Sequence, residues 1–198
     1  ASGYFADFRI VKGTAVYTTA FTPPTAPLTA VTNTQLLLKF ANAGIVDLSG
    51  CNDIETYGNA QITTSTKKYG TGAIAYDGTG DFLRFAGSPA MLFSTGDFTI
   101  EFWLYTASSS TKYDYVDLRG SGGTGTSLCI YQDSGTMYVI NNGSTNIISG
   151  TAPTAGTWHH IALTRCNGSL KLFVDGVQNG STYSDSTNYT TLYNFCYI

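Results

Sequence analysis

Glu55 and Glu101 are the only glutamates in this chain, and they lie on separate segments. Retaining glycoside hydrolysis needs two carboxylates about 5 Å apart, so two acids on one strand would be the pattern to find. Glu101 instead alternates with Trp103 along an apolar run, the setting of a polar group satisfied inside a sheet. Asp114 and Asp117 are three residues apart, and a regular strand points such a pair to opposite faces. The two histidines, His159 and His160, are adjacent, and for the same reason they do not grip one metal together. Gly120 to Gly125 matches G-x-G-x-x-G, but a phosphate site needs a helix next, and Ser127–Tyr131 reads as a strand. What remains is binding. Oxygen-rich turns at Asp47 to Asp53 and Asp77 to Asp81 suit a hard cation, although Asp-Gly pairs also simply build turns. Tyr113, Asp114, Tyr115, Arg119, Tyr131, Gln132 and Asp133 combine rings that stack on sugar faces with groups that bond hydroxyls. Packing between two sheets is the equal alternative for those tyrosines.

The elements that must carry these residues are strands. In Phe98–Tyr105 one face takes Phe98, Ile100, Phe102 and Leu104, while Thr99, Glu101, Trp103 and Tyr105 share the other. Trp158–Cys166 and Ser169–Asp175 flank Asn167-Gly168, a pair that tolerates the positive φ of a tight hairpin turn. Further strands are expected at Gly3–Val11, Gln35–Phe40, Ala73–Tyr76, Phe82–Phe85, Tyr115–Leu118, Ser127–Tyr131, Thr136–Ile140 and Tyr193–Ile198. No window sustains a helical period, and Gly or Asn/Asp punctuation recurs throughout, so the fold class is all-β, a sandwich. Residues 18–34, with Pro23, Pro24 and Pro27 among Thr and Ala, read as an extended linker. The linker separates an N-terminal strand unit, residues 1–17, from a body at 35–198.

Ten Lys and Arg against 13 Asp and Glu in 198 residues give a net charge of −3, with only 12% of residues charged. The cations form no basic footprint, which argues against a nucleic-acid partner. No apolar run reaches the roughly 20 residues of a membrane helix. Cys51, Cys129, Cys166 and Cys196 show no zinc spacing, and their pairing stays open. Four Asn-x-Ser/Thr acceptor patterns begin at Asn142, Asn167, Asn179 and Asn188; the first three contain Asn-Gly, which turn chemistry explains without any sugar.

Three ordered motifs carry a family resemblance: Gly96-Asp97-Phe98-Thr99-Ile100-Glu101-Phe102-Trp103, Gly156-Thr157-Trp158-His159-His160-Ile161-Ala162-Leu163-Thr164-Arg165, and Leu170-Lys171-Leu172-Phe173-Val174-Asp175-Gly176. With Tyr76-Asp77-Gly78-Thr79-Gly80-Asp81-Phe82 upstream, residues 36–198 resemble laminin-G-like and pentraxin-like domains of the concanavalin A-like lectin/glucanase group. The resemblance implies a jelly roll of two antiparallel sheets with a buried, hydrogen-bonded histidine at position 159 or 160. It also implies an optional structural Ca2+ between the first loop, at Asp47 and Asp53, and Asp7 of the last strand. Asp77 and Asp81 are further candidates, and no cofactor is required.

That last strand is displaced. Gly3 to Gly13, carrying Tyr4, Phe5, Phe8, Ile10 and Val11, is similar to the strand that ends such domains, yet here it comes first. Two arrangements restore the usual order. Either the strand folds back onto its own body, or it completes a neighbouring copy in a head-to-tail fibre; the second is the preferred expectation. Together with Phe21-Thr22-Pro23-Pro24, the segment is similar to modules of marine tailed-phage virion proteins. The expected function is therefore a non-enzymatic structural and adhesion module, extracellular or on a virion surface. Its expected partners are other copies of itself and host or extracellular glycans. The alternative is a monomeric secreted carbohydrate-binding domain.

Overall fold

Phe98–Thr106 (β7), with its strict alternation, is the strand around which one sheet is built, and the computed structural model describes residues 2–42, 44–119, 126–141, 145–190 and 194–198. The others are β1 (Ser2–Lys12), β2 (Thr34–Leu38), β3 (Ile54–Tyr57), β4 (Gln61–Thr63), β5 (Ala73–Asp77), β6 (Phe82–Ala86), β8 (Tyr113–Asp117) and β9 (Cys129–Asp133). They continue with β10 (Thr136–Asn141), β11 (Thr145–Thr151), β12 (Trp158–Cys166), β13 (Ser169–Val174), β14 (Val177–Gln178), β15 (Tyr183–Ser184) and β16 (Phe195–Tyr197). Sheet A runs β14-β13-β12-β7-β1-β5-β4, with β2 also on β1 and β15 on β13; sheet B runs β11-β10-β9-β8-β16-β6-β3. All pairings among the described strands are antiparallel. The sandwich is the all-β jelly roll expected.

The displaced strand lies inside its own chain. One edge of β1 pairs with β7 from Gly3↔Thr106 to Lys12↔Phe98. Its other edge is shared by β5 at Ser2–Phe5 and β2 at Phe8–Val11. Asp7, with φ 47°, makes the bulge at which the partner changes. The bulge also explains why Phe5 and Phe8, three residues apart, both point inward, stacking on Phe102 at 5.0 and 5.7 Å. Each such ring contributes about 1.5–3 kcal/mol on burial. The expectation that Tyr4, Phe5, Phe8, Ile10 and Val11 complete a neighbouring copy is corrected: own-chain strands already satisfy both edges.

From Val16 onward, through the stretch at 18–34 expected to be an extended linker, the chain straps the outer face of sheet A. The Val16 amide donates to Thr99 Oγ1 at 2.8 Å, Thr164 Oγ1 to the Tyr17 carbonyl at 2.6 Å, and Tyr69 Oη to the Pro24 carbonyl at 2.9 Å. Phe21 N donates to the Gly176 carbonyl at 2.9 Å, and a Cβ at Gly176 (φ 77°) would collide with the Phe21 carbonyl. Both backbone and side-chain groups of the sheet take part in these bonds, so the stretch is held along its length.

Beneath the strap lies a buried polar cluster. Glu101, fully buried, accepts from Arg9 through Nε (2.8 Å) and Nη2, from Tyr17 Oη (2.9 Å) and from His160 Nε2 (3.1 Å). The Arg9 Nη1 donates to the Thr29 carbonyl at 2.6 Å. His160 is thus the buried, hydrogen-bonded histidine that the family resemblance implies.

Asp7 is less well served. Its carboxylate is buried with Oδ2 unpartnered, and burial, only partly offset by the Leu28 amide, Lys39 and Arg9, pushes its pKa up to about 6. The folded state therefore holds this proton more tightly than the unfolded chain. Stability from Asp7 is highest below pH 4 and declines as pH rises towards 6, by about 2–3 kcal/mol in all. Asp7→Asn, which also accepts the left-handed backbone, is expected to be the more stable form above pH 6. In thermal melts from pH 3 to 8 that advantage should shrink to nothing in acid; a constant difference across the range refutes the assignment.

Candidate functional site

Sheet B presents an outer face set by the same alternation that builds the core. Leu83 and Phe85 point inward, so Phe82 and Arg84 point out. The register then lays Glu55, Arg84, Tyr197, Asp117 and Cys129 across the sheet in one row. Two residues along, the next row holds Tyr57 opposite Phe82 on one side and Asp114, Tyr131 and Tyr138 on the other. Tyr57 stacks on Phe82 at 4.6 Å, and Tyr131 on Tyr138 at 4.9 Å. With strands about 4.8 Å apart, the two ring pairs are separated by about 19 Å.

Between them the sheet is open. β16 meets β8 only at Tyr197↔Asp117, so the edge of β8 from Tyr113 to Val116 faces a cleft of about 440 Å3. Phe82, Lys112, Asp114, Asp117 and Tyr197 line it, with Gly78, Gly80 and Asp81, and it reaches inward to Tyr76, Tyr115 and Ile198. Arg84 lies over the rings of Tyr57 (4.5 Å) and Phe195 (3.9 Å) and pairs with Glu55. Arg119 grips Asp117 with Nη2 to Oδ2 at 2.7 Å, and Lys112 lies 5.6 Å from the Tyr131 ring. The face is rich in rings, mixed in charge, and open at one slot.

The residues expected to bind a ligand separate by side. Asp114 is exposed, Tyr131 and Asp133 are half-buried on the outer face, and Arg119 joins them through Asp117. Tyr113 packs at the rim of the core and lines the cleft. Tyr115 and Gln132 point inward: Tyr115 donates to Thr106 Oγ1 at 3.3 Å, and Gln132 Nε2 to the Ser108 and Thr111 carbonyls at 2.6 and 3.0 Å. A bulge between Asp114 and Val116 explains a further difference. Tyr115 and Val116 are both buried, which leaves Asp114 and Asp117 on one face and corrects the expectation of opposite faces.

The candidate cation ligands are brought together at most in pairs, Asp77 with Asp81 and Asp47 near Asp53; among the described residues no three His, Cys, Asp or Glu groups form a metal-sized cluster. Asp47 accepts from the Leu37, Ser49, Cys51 and Asn52 amides and from the Ser49 and Asn52 side chains. Despite the cost of burial, those donors hold its carboxyl below the usual range. Asp81 accepts the Asn59 and Asp77 amides, and Asp77 accepts from Thr79 N and Asn59 Nδ2, so these two clamp a turn. Asp53 lies in a loop beside Asp47, and Asp7 lies in β1. The glycine run 120–125 and the acceptor pattern at 142–144 lie outside the described residues. All four cysteines are free thiols, and burial pushes those of Cys129 and Cys196 up.

Residues 77–198 match the laminin-G family Laminin_G_3, described as the concanavalin A-like lectin/glucanases superfamily. The chain belongs to this superfamily. No curated protein sequence matches it. Among solved structures, this superfamily member is similar to a crystal structure of an HCR/D mutant at TM-score 0.64 and 15% identity. That alignment covers 82% of this chain and 43% of the other, so the chain spans less than half the length of that relative. The alginate lyase AlgAT5 of polysaccharide lyase family 7 aligns over 97% of this chain and 80% of its own, at TM-score 0.39 and 12% identity. The first likeness is one of fold.

Proposed function

We propose that this superfamily domain is a non-enzymatic module that binds an extended glycan across the outer face of sheet B. The observation that carries the reading is the row Tyr57–Phe82, cleft, Asp114–Tyr131–Tyr138, in which ring pairs flank an open polar slot. Rings supply apolar area to sugar C–H faces, while Asp114 and Lys112 supply partners for hydroxyls. The commitment of the nearby acids supports a binding role over hydrolysis. Asp117 is held by Arg119, Glu55 by Arg84, and Glu101 lies buried on the other sheet. Strand donation is not part of the reading, because β1 is enclosed by its own chain. An extracellular setting accords with a glycan ligand.

A glycan array followed by titration calorimetry tests this. Removing one ring or one bonded acid is worth about 1–1.5 kcal/mol, so Tyr131→Ala and Asp114→Ala should each weaken the best ligand about tenfold. Asp114 is exposed, so its substitution should scarcely change the melting temperature, whereas Tyr131→Ala also loses the stack on Tyr138 and should lower it slightly. A ligand whose affinity is indifferent to both substitutions would place binding elsewhere.

A further inference from the structure

β16 closes sheet B only in part. Against β6 it pairs at Phe195↔Ala86, Cys196↔Phe85 and Tyr197↔Arg84. Ile198 then exchanges both backbone bonds with Leu83, donating at 3.0 Å and accepting at 2.8 Å. Against β8 the same strand pairs only at Tyr197↔Asp117. Because β6 and β8 are the two neighbours of β16, they stand two strand spacings apart, about 9.6 Å. Beside Ile198 that interval holds the cleft of about 440 Å3. Among the described residues, Tyr113 to Val116 have no strand partner on the edge facing it, while their other edge pairs with β9. An unpaired run of strand backbone is a template for another strand.

Register fixes what such a strand would meet. Tyr197 faces outward and Ile198 inward, so the next residue in the line of β16 faces outward, opposite Phe82. The bulge at Tyr115 keeps Asp114 on that same outer face, so this first position lies between the Phe82 ring and the Asp114 carboxylate. It supplies the member absent from the row Tyr57, Phe82, Asp114, Tyr131. The second position turns inward, towards the buried rings of Tyr76 and Tyr115 that floor the cleft. The third faces outward again, beside Lys112. Asp114 and Lys112 are both exposed, and among the described residues neither is in an ion pair.

We propose that this slot docks an extended segment of a partner polypeptide, running antiparallel to β6 and β8, with a cation first, an apolar residue second and an acid third. Backbone bonds to the open edge of β8 supply affinity, and the alternating side chains supply selectivity. The cation lies on the Phe82 ring and pairs with Asp114, the apolar side chain covers Tyr76 and Tyr115, and the acid pairs with Lys112.

Two tetrapeptide amides of one composition, Lys-Val-Glu-Thr and Glu-Val-Lys-Thr, test this when titrated into the full chain and followed by amide NMR shifts. Both have a free amino end, so that nothing overlaps Ile198. The first should move the amides of Phe82 and of Tyr113 to Val116 in a saturable manner. The second should bind about tenfold more weakly, because like charges then face each other across the strands. The double variant Lys112→Asp with Asp114→Lys, two exposed changes, should reverse that preference. Equal affinities, shifts centred elsewhere, or no shift at millimolar peptide overturn the proposal. Strand docking does not rest on glycan binding. Tyr131→Ala, which weakens the glycan, should leave the peptide affinity unchanged, and a glycan that binds where both peptides fail removes this proposal and leaves the sheet B reading standing.

Discussion

Arg165→Met is expected to cost about 3–5 kcal/mol, a large part of the stability of a domain this size. The guanidinium is fully buried at the end of the core, between the rings of Phe98 (5.0 Å) and Tyr189 (4.9 Å). Its Nη1 pairs with Asp185 at 3.0 Å and donates to the Thr187 carbonyl at 2.9 Å; Nη2 donates to the Ser94 carbonyl at 2.7 Å and Nε to the Gly96 carbonyl at 2.8 Å. One side chain therefore ties the 94–97 turn and the 185–189 segment to β12. Methionine fills the volume but leaves Asp185 buried without its cation, and the carbonyls unpaired. Urea denaturation measures the loss. The double variant Arg165→Met with Asp185→Leu should recover part of it, since the stranded charge is gone. Equal instability of single and double variants would show that the carbonyls, not the ion pair, dominate, and a loss under about 1 kcal/mol would falsify the anchoring role.

Glu101→Gln is expected to cost about 3 kcal/mol and to release the strap. Burial alone would push the Glu101 carboxyl up, but the bond from His160 and the charge of Arg9 outweigh it and hold the group below its usual range. Burial and the Glu101 charge in turn push the Tyr17 phenol up, so it remains a donor to that carboxylate. A depressed carboxyl contributes stability that is complete above the unfolded value, about 4.3, and is lost as pH falls through the folded value. The gap between wild type and Glu101→Gln should thus be widest above pH 5 and close in acid, opposite in sign to the Asp7 effect. Limited proteolysis should cut the variant within residues 18–33 before global unfolding, because the amide keeps one acceptor oxygen where the carboxylate offered Oε1 to Arg9 and Oε2 to Tyr17, and it carries no charge. Unaltered cleavage kinetics would mean that Tyr17–Phe21 stacking (3.7 Å) and the Gly176 contact hold the strap unaided.

The central strands were legible from residue order. Trp158–Cys166 matches its expected bounds, and the turn after it has the positive φ at Asn167 (47°) and Gly168 (74°) that Asn-Gly foretold. Alternation announces a strand only when one face is buried and the other is not, or when both carry rings. The strands that escaped notice are β3, β4, β11, β14 and β15, all at or near a sheet edge. Short and half-solvated, with sequences such as Ile-Glu-Thr-Tyr and Thr-Asn-Ile-Ile-Ser-Gly-Thr, they have no apolar face strong enough to mark. The ligand residues split for a related reason. Tyr115 and Asp114 are neighbours in sequence, and only the bulge beside them determines which enters the core.

By itself, then, the sequence determined the layers: period-two patterning and turn residues act locally, so they specify strands, the hairpin at Asn167-Gly168, and the family motifs from Asp77 onward. Tertiary structure decided what those strands meet. Whether Tyr4–Val11 pairs at home, whether the proline-rich stretch dangles or straps a sheet, and whether Tyr57, Phe82, Asp114 and Tyr131 share one row all depend on register between residues far apart in the chain. Register is set by the sum of many weak cross-strand contacts and by single bulges such as Asp7, and no local window contains that information.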